Sequence, residues 1–200
     1  MSSRKYAPRF ARYAPGIRLQ DARNAAFRNW WAKRWTDSLV VKDLAGRFGR
    51  GRVYAMNGQV MRLSIAPPGP SGVTVTADVV GARPGAYCVS ARFRVPASDV
   101  RERIVSRLKA EPILLARLAA RDLPLEIEGI FRAEGLDLFP GGKLGEGLYD
   151  VTSACTCPDY ANPCKHTFAA LLVLGEEVAR NPAQLLALRG ISLEELCDEA

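Results

Sequence analysis

The sequence predicts an α+β fold: an antiparallel β-meander packed with helices, followed by a small C-terminal module. Three observations predict it. Residues 53–95 hold four runs rich in Val, Ile, Thr and Tyr, separated by Gly, Pro and Asn, the pattern of short strands joined by tight turns. Residues 98–131 carry Ile, Val, Leu and Phe at spacings of three and four, which is helical periodicity. Near the C-terminus, Cys155, Cys157, Cys164 and His166 crowd into the run C-T-C-P-D-Y-A-N-P-C-K-H.

The elements follow in order. Residues 1–20 form an irregular basic arm, with Arg4, Lys5, Arg9, Arg12 and Arg18 set among Pro8, Pro15 and Gly16. Tyr6, Phe10 and Tyr13 interleave with the arginines. Such aromatics either stack on bases or pin the arm to the domain. Residues 21–45 read as a helix whose Trp30, Trp31, Arg34 and Trp35 share one face. Large aromatics at that spacing point to core packing, with Arg28, Lys33 and Arg34 edging the face with positive charge.

Residues 46–52 read G-R-F-G-R-G-R. The Gly-Lys-Ser/Thr element of a Walker loop is missing. Glycines permit close backbone approach, and Arg47, Arg50 and Arg52 offer bidentate phosphate donors. The segment is either a phosphate-contacting loop or a solvated turn.

Strands over 53–56 and 59–65 flank Asn57-Gly58, a strong hairpin signal. Strands over 73–80 and 87–95 extend the meander. Cys88 falls in the last of these and reads as a buried thiol. A sheet with one apolar face needs a covering layer. Ser98 or Asp99 caps a first helix through Val100, Ile104, Val105 and Leu108. A second holds Ile113, Leu114, Leu115 and Leu118. A third starts at Pro124, a favoured helix-start residue, and ends at Gly135. Residues 136–142 link to the C-terminal module, and short helices over 182–188 and 193–197 finish the chain. Cys197 reads as a bystander.

The spacing Cys-x-Cys-x6-Cys-x-His offers three thiolates and one imidazole, a complete tetrahedral shell for Zn²⁺. Alternate residues of an extended segment share a face, so Cys155 and Cys157 can grip one ion. Pro158, Asp159, Asn162 and Pro163 turn the chain back. Cys164 and His166 then stand where the apolar run 167–174 should begin a helix. The helix N-terminus suits the net negative charge of three thiolates on Zn²⁺. His166 is the single histidine. Committed to metal, it leaves no histidine as a general base, and the carboxylates are scattered. The residues therefore point away from an enzyme, with no small-molecule substrate.

Charge is unevenly placed. The net charge is +7, yet residues 1–62 hold fourteen Lys/Arg against three Asp/Glu. A basic first third on a mildly acidic remainder indicates one anion-binding face. Arg34, Arg47, Arg50, Arg52 and Lys165 are the candidate nucleic-acid contacts, with DNA expected ahead of RNA. No recognition helix announces base specificity. Unpaired cysteines, the lack of a secretory h-region and the lack of an apolar run near ~20 residues lead to the expectation of a cytoplasmic or nucleoid-associated protein away from membranes. Three segments are expected: a basic arm and helix over 1–52, an α+β domain over 53–140, and the zinc finger with C-terminal helices over 141–200. Replacing Cys164 or His166 should then unfold mainly the chain after Gly142.

The motif C-T-C-P-D-Y-A-N-P-C-K-H resembles the SWIM-type zinc finger, Cys-x-Cys-xn-Cys-x-His, at every ligand position. The likeness to bacterial stand-alone SWIM proteins extends to Trp30-Trp31, to Arg34-Trp35, to the Gly-Arg stretch running into Tyr54, and to the run L-L-A-L-R-G at 185–190. That resemblance implies nucleic-acid or protein binding. It also implies association with Swi/Snf-type helicase-like ATPases, for which this chain would be an adaptor; SWIM fingers occur in Mutator-type plant transposases too.

Overall fold

A helix that is apolar all round belongs in a core, and the run after His166 forms one. In the computed structural model, which describes residues 16–19, 29–40, 42–141 and 150–198, this helix is the centre of the molecule. Helix α6, as numbered below, spans Lys165–Arg180, and Phe168, Ala169, Ala170, Leu171, Leu172, Val173 and Leu174 are all buried. The arm over 1–15, the start of the helix expected over 21–45, and most of the link after Gly141 lie outside the described residues.

The elements run α1 (Trp30–Ser38), a 3-10 turn (Lys42–Leu44), α2 (Ala45–Met56), β1 (Val60–Ile65), β2 (Val73–Val80) and β3 (Ala86–Phe93). Then come α3 (Ser98–Lys109), α4 (Pro112–Ala119), α5 (Leu125–Ala133), β4 (Val151–Cys155), α6, α7 (Ala183–Ala187) and α8 (Leu193–Cys197). The four strands make one antiparallel sheet in the order β1-β2-β3-β4. Alternation assigns its faces. Val73, Val75, Ala77, Val79, Val89, Ala91, Phe93 and Val151 point inward, while Thr76, Cys88, Arg92, Thr152 and Ala154 lie on the open face. All four strands pack against α6, as do α1 and α2. The fold is α+β, as expected.

The tryptophans are core. Trp31 and Trp35 are buried, and their indole N–H groups donate to carbonyls of α6, Val178 at 3.2 Å and Leu171 at 3.0 Å. Burying an indole N–H without an acceptor would cost what burial of the ring gains. Trp35 lies against Gly175, where an added Cβ would stand 2.5 Å from the indole. Half-buried Trp30 donates to Leu123 at 3.0 Å and so ties α1 to the α4–α5 turn.

Several local expectations are corrected. Residues 46–52 are not a loop: they form the body of α2. Three glycines in seven residues argue against a helix, but packing overrides propensity. At Gly51 a Cβ would fall 2.6 Å from Phe168 Cβ and 2.8 Å from the Lys165 carbonyl, so this glycine lets α2 lie directly on α6. Residues 53–56 are helical too, and Asn57-Gly58 ends a helix instead of turning a hairpin. Gly58 has φ +70, and Gln59 N–H donates to the Tyr54 carbonyl at 3.0 Å, a Schellman closure. Cys88 is exposed because its register places it on the open sheet face.

The boundaries expected at 52/53 and 140/141 do not separate structural units. The first falls inside α2. Beyond the second, β4 pairs with β3 and α6 fills the core beneath the sheet.

One buried cation closes the structure. Arg189 donates to the carbonyls of Leu138 (3.2 Å) and Arg94 (3.0 Å) and to Asp150 at 2.5 Å, and both side chains of this ion pair are at most 9% exposed. Asp150 also accepts from Gly141 N–H at 2.8 Å. Arg189→Ala would leave the buried Asp150 carboxylate without its cation, with only the Gly141 N–H as donor among the described residues, and would remove the guanidinium from two carbonyls. It should cost about 3–5 kcal/mol, read as a lowered urea midpoint with an unchanged slope; a loss below about 1 kcal/mol would show the pair to be dispensable.

Candidate metal centre

The centre is built where β4 meets α6. Cys155 ends β4 on the inward face, in register with Val89. The ladder runs one residue further: Thr156 N–H donates to the Cys88 carbonyl at 3.0 Å, and Cys88 N–H donates to Thr156 Oγ1 at 3.0 Å. This extension carries Cys157 back to the side of Cys155. The return loop is held by side chains. Asp159 accepts from Ala161 N–H at 3.2 Å, and Ser153 Oγ donates to Asn162 Oδ1 at 2.6 Å. Cys164 is the N-cap of α6 in extended conformation, and His166 lies in its first turn.

The four ligand atoms lie within 4.8 Å of one another. His166 Nδ1 stands 3.8 Å from the sulfurs of both Cys155 and Cys164. A tetrahedral ion with Zn–S bonds of about 2.3 Å requires ligand–ligand edges of about 3.7 Å, so the donor set fits Zn²⁺. Cys164 and His166 are buried, Cys155 and Cys157 half-buried. The chemistry of the cluster asks for a cation. The Cys155 thiol donates to Cys164, and with help from His166 and Thr167 this holds the Cys164 thiol down to about 3. The same hydrogen bond, and burial, push the Cys155 thiol up. Like charges this close cannot all ionise unless positive charge sits between them. Zn²⁺ is that charge, and with four protein ligands the site is a closed, structural one.

A second layer, which the sequence did not reveal, orients the imidazole. His166 packs against Tyr87, whose ring is tilted by 32° with centroids 4.6 Å apart, and against Tyr54, which meets it edge-on at 5.3 Å. Burial raises the Tyr54 hydroxyl above its ordinary range. The His166 Nε2 is buried with no hydrogen-bond partner among the described residues. Gly81 makes room: a Cβ there would meet the Tyr87 ring at 2.3 Å and His166 Nε2 at 3.2 Å. A Val-Gly step ending a strand is the signal that could have marked it.

The candidate nucleic-acid contacts divide. Arg34 pairs with Glu128 at 3.4 Å and lies over Phe139, fastening α1 to α5 beside the later turns of α6. Arg47 pairs with Asp159 at 3.3 Å and lies 5.2 Å from the Tyr160 ring centre, fastening α2 to the metal loop. That bond keeps the Asp159 carboxyl below its ordinary range. Arg50 and Arg52 are exposed on α2, and Lys165 Nζ lies 5.8 Å from the Tyr54 ring centre. The structure thus gathers Arg47, Arg50 and Lys165 near the metal loop and sets Arg34 apart.

Residues 147–175 match the SWIM zinc finger, a span that takes in all four ligands and the first part of α6. The chain carries a SWIM zinc finger, as its ligand spacing suggested. Over 183 residues, 90% of the chain, it is 36% identical to "Uncharacterized protein Rv2102" of Mycobacterium tuberculosis (strain ATCC 25618 / H37Rv), and it spans 62% of that protein's length. No solved structure matches the chain. No helix among the described residues is long and apolar enough to cross a membrane.

Two outcomes test the centre. Elemental analysis should find about one zinc per chain, and chelation should lower a single cooperative melting transition, because α6 serves both ligands and core. A separate early melt of the C-terminal segment would instead make the finger an independent module. Gly81→Ala should weaken zinc roughly 10- to 100-fold, as loss of ligand orientation does, measured by competition with a chromophoric chelator.

Proposed function

We propose that this chain is a zinc-binding, non-enzymatic accessory protein that binds nucleic acid, DNA ahead of RNA. One observation carries the reading. Arg34, Arg47, Arg62, Arg101, Arg103, Arg107, Arg117, Arg132, Arg180 and Arg189 are each paired with a carboxylate. Arg50, Arg52 and Lys165 have no such ion pair among the described residues; neither do Arg18, Lys42, Arg83, Arg92, Arg94, Lys109 and Arg121, and what sets Arg50 and Lys165 apart is their place near the metal loop. Arg50 and Lys165 stand beside a rigid, metal-braced loop, with Arg52 on another face of α2; uncompensated cations so placed make an anion-binding surface, and phosphate diesters are the anions a basic protein meets in repeated array. The SWIM finger supports the same reading by resemblance. Zinc here holds the surface in shape and takes no part in a reaction.

A second reading has its own observation. On α2, Val53 and Met56 are exposed at 53% and 48%, next to Arg52. Apolar side chains standing among cations suit an acidic protein partner, and a Swi/Snf-type helicase-like ATPase is the partner class the family resemblance supplies. A pull-down with such an ATPase, with and without Val53→Ser and Met56→Ser, tests it.

Binding of labelled duplex DNA should fall with salt. About four to eight phosphate contacts give a log–log slope of roughly −3 to −7. Arg50→Ala, Arg52→Ala and Lys165→Ala together should flatten that slope by about 2–3 and weaken binding equally across sequences, with zinc content unchanged. A salt-independent affinity, or none at low salt, would show this surface is not a nucleic-acid site.

A further inference from the structure

The metal loop presents one side chain that neither zinc nor the core uses. Tyr160 is 94% exposed, the most exposed of the large hydrophobic side chains among the described residues. A tyrosine free in solvent would sample many rotamers, but this one is held. The Arg47 guanidinium lies 5.2 Å from its ring centre, and Arg47 is itself fixed by Asp159. Asp159 in turn accepts from Ala161 N–H, so the residues on both sides of Tyr160 are tied. The loop is anchored at each end by a metal ligand, Cys157 and Cys164. The ring stands almost wholly in solvent, with the Arg47 guanidinium 5.2 Å from its centre and its faces open.

Such a ring is a stacking platform. Every base has a π-face, and an aromatic ring backed by arginine accepts it whatever the sequence. The cations needed for the flanking phosphates stand close by: Lys165 begins the helix that follows the loop, and Arg50 lies one turn along α2 from Arg47. Bases in a duplex are already stacked on each other and offer no free face. We propose that Tyr160 stacks on an unpaired base, so that the nucleic acid this chain prefers is single-stranded. The proposal rests on the nucleic-acid reading above and sharpens it to a substrate class. Arg47, 5.2 Å from the ring centre, adds a cation beside the ring on which the base stacks. Phosphate contacts from Arg50 and Lys165 give affinity without sequence choice.

The test uses the full zinc-loaded chain and three fluorescent probes: a 20-nucleotide oligo(dT), a 20-nucleotide oligo(U), and a blunt 20-base-pair DNA duplex. Anisotropy at low salt should show at least one single strand bound more tightly than the duplex, and the better of the two tells DNA from RNA. Tyr160→Ala should weaken the single strand about tenfold, inside the roughly 5- to 150-fold worth of one stacked base. It should leave the duplex nearly unaffected, while Tyr160→Phe keeps the single-strand affinity. Because Tyr160 is exposed, zinc content and melting temperature should not move, and both are measured alongside. A Tyr160→Ala chain that binds single strands as well as the parent overturns the stacking proposal. If the Arg50, Arg52 and Lys165 changes still weaken all three probes, the nucleic-acid reading survives that failure. If the parent chain binds none of the probes, both fall together.

Discussion

Everything in this molecule depends on where α6 is seated. Its first turn supplies two zinc ligands, and the residues that follow are buried on all sides beneath the sheet. The metal centre is therefore a fastening between β4 and the central helix. Fixing Cys155 and Cys157 to Cys164 and His166 sets the start of α6 against the sheet edge, and Trp31 and Trp35 set its later turns by hydrogen bonding to its carbonyls. A structural zinc site contributes binding energy directly to folding. Here that energy acts on the most buried element of the chain.

The same seating explains the sequence of α2. A helix with glycine in three of seven positions would not stand alone. Lying on α6 with Gly51 at the crossing, it gains the burial that its propensity lacks. The close approach also brings Phe48 against Phe168, with ring centroids 5.6 Å apart, and sets Tyr54 edge-on to His166. So one interhelical contact both builds the core and shields the imidazole. Gly49, by contrast, faces open space, and at Gly46 an added Cβ would stand 3.8 Å from the Arg50 guanidinium.

Ion pairing sorts the arginines by task. Arg189 is internal, and its pair with Asp150 joins the end of β3, the link before β4 and the C-terminal tail. Arg34 and Arg47 are fasteners between elements, and a fastened guanidinium has given most of its charge to one carboxylate. Arg50, Arg52 and Lys165 keep theirs for solvent or a ligand. Electrostatic function at a surface is set by this difference, and composition cannot show it.

The sequence by itself determined the metal centre, because ligand chemistry is written in residue type and spacing: four soft and imidazole donors in twelve residues admit few other readings. It also determined the fold class, since alternation over 73–80 and 87–93 and helical spacing over 98–131 are local signals. Tertiary structure decided the rest. Only packing shows that Gly51 serves a helix crossing and that Gly58 ends a helix, since the same dipeptide Asn57-Gly58 suits either turn. Only register shows Cys88 facing outward. Only long-range contacts show that Arg47 belongs to Asp159, 112 residues away, that Tyr87 and Gly81 seat His166, and that the finger shares one sheet and one core with the chain before it. These are relations between distant residues, and local periodicity carries no information about them.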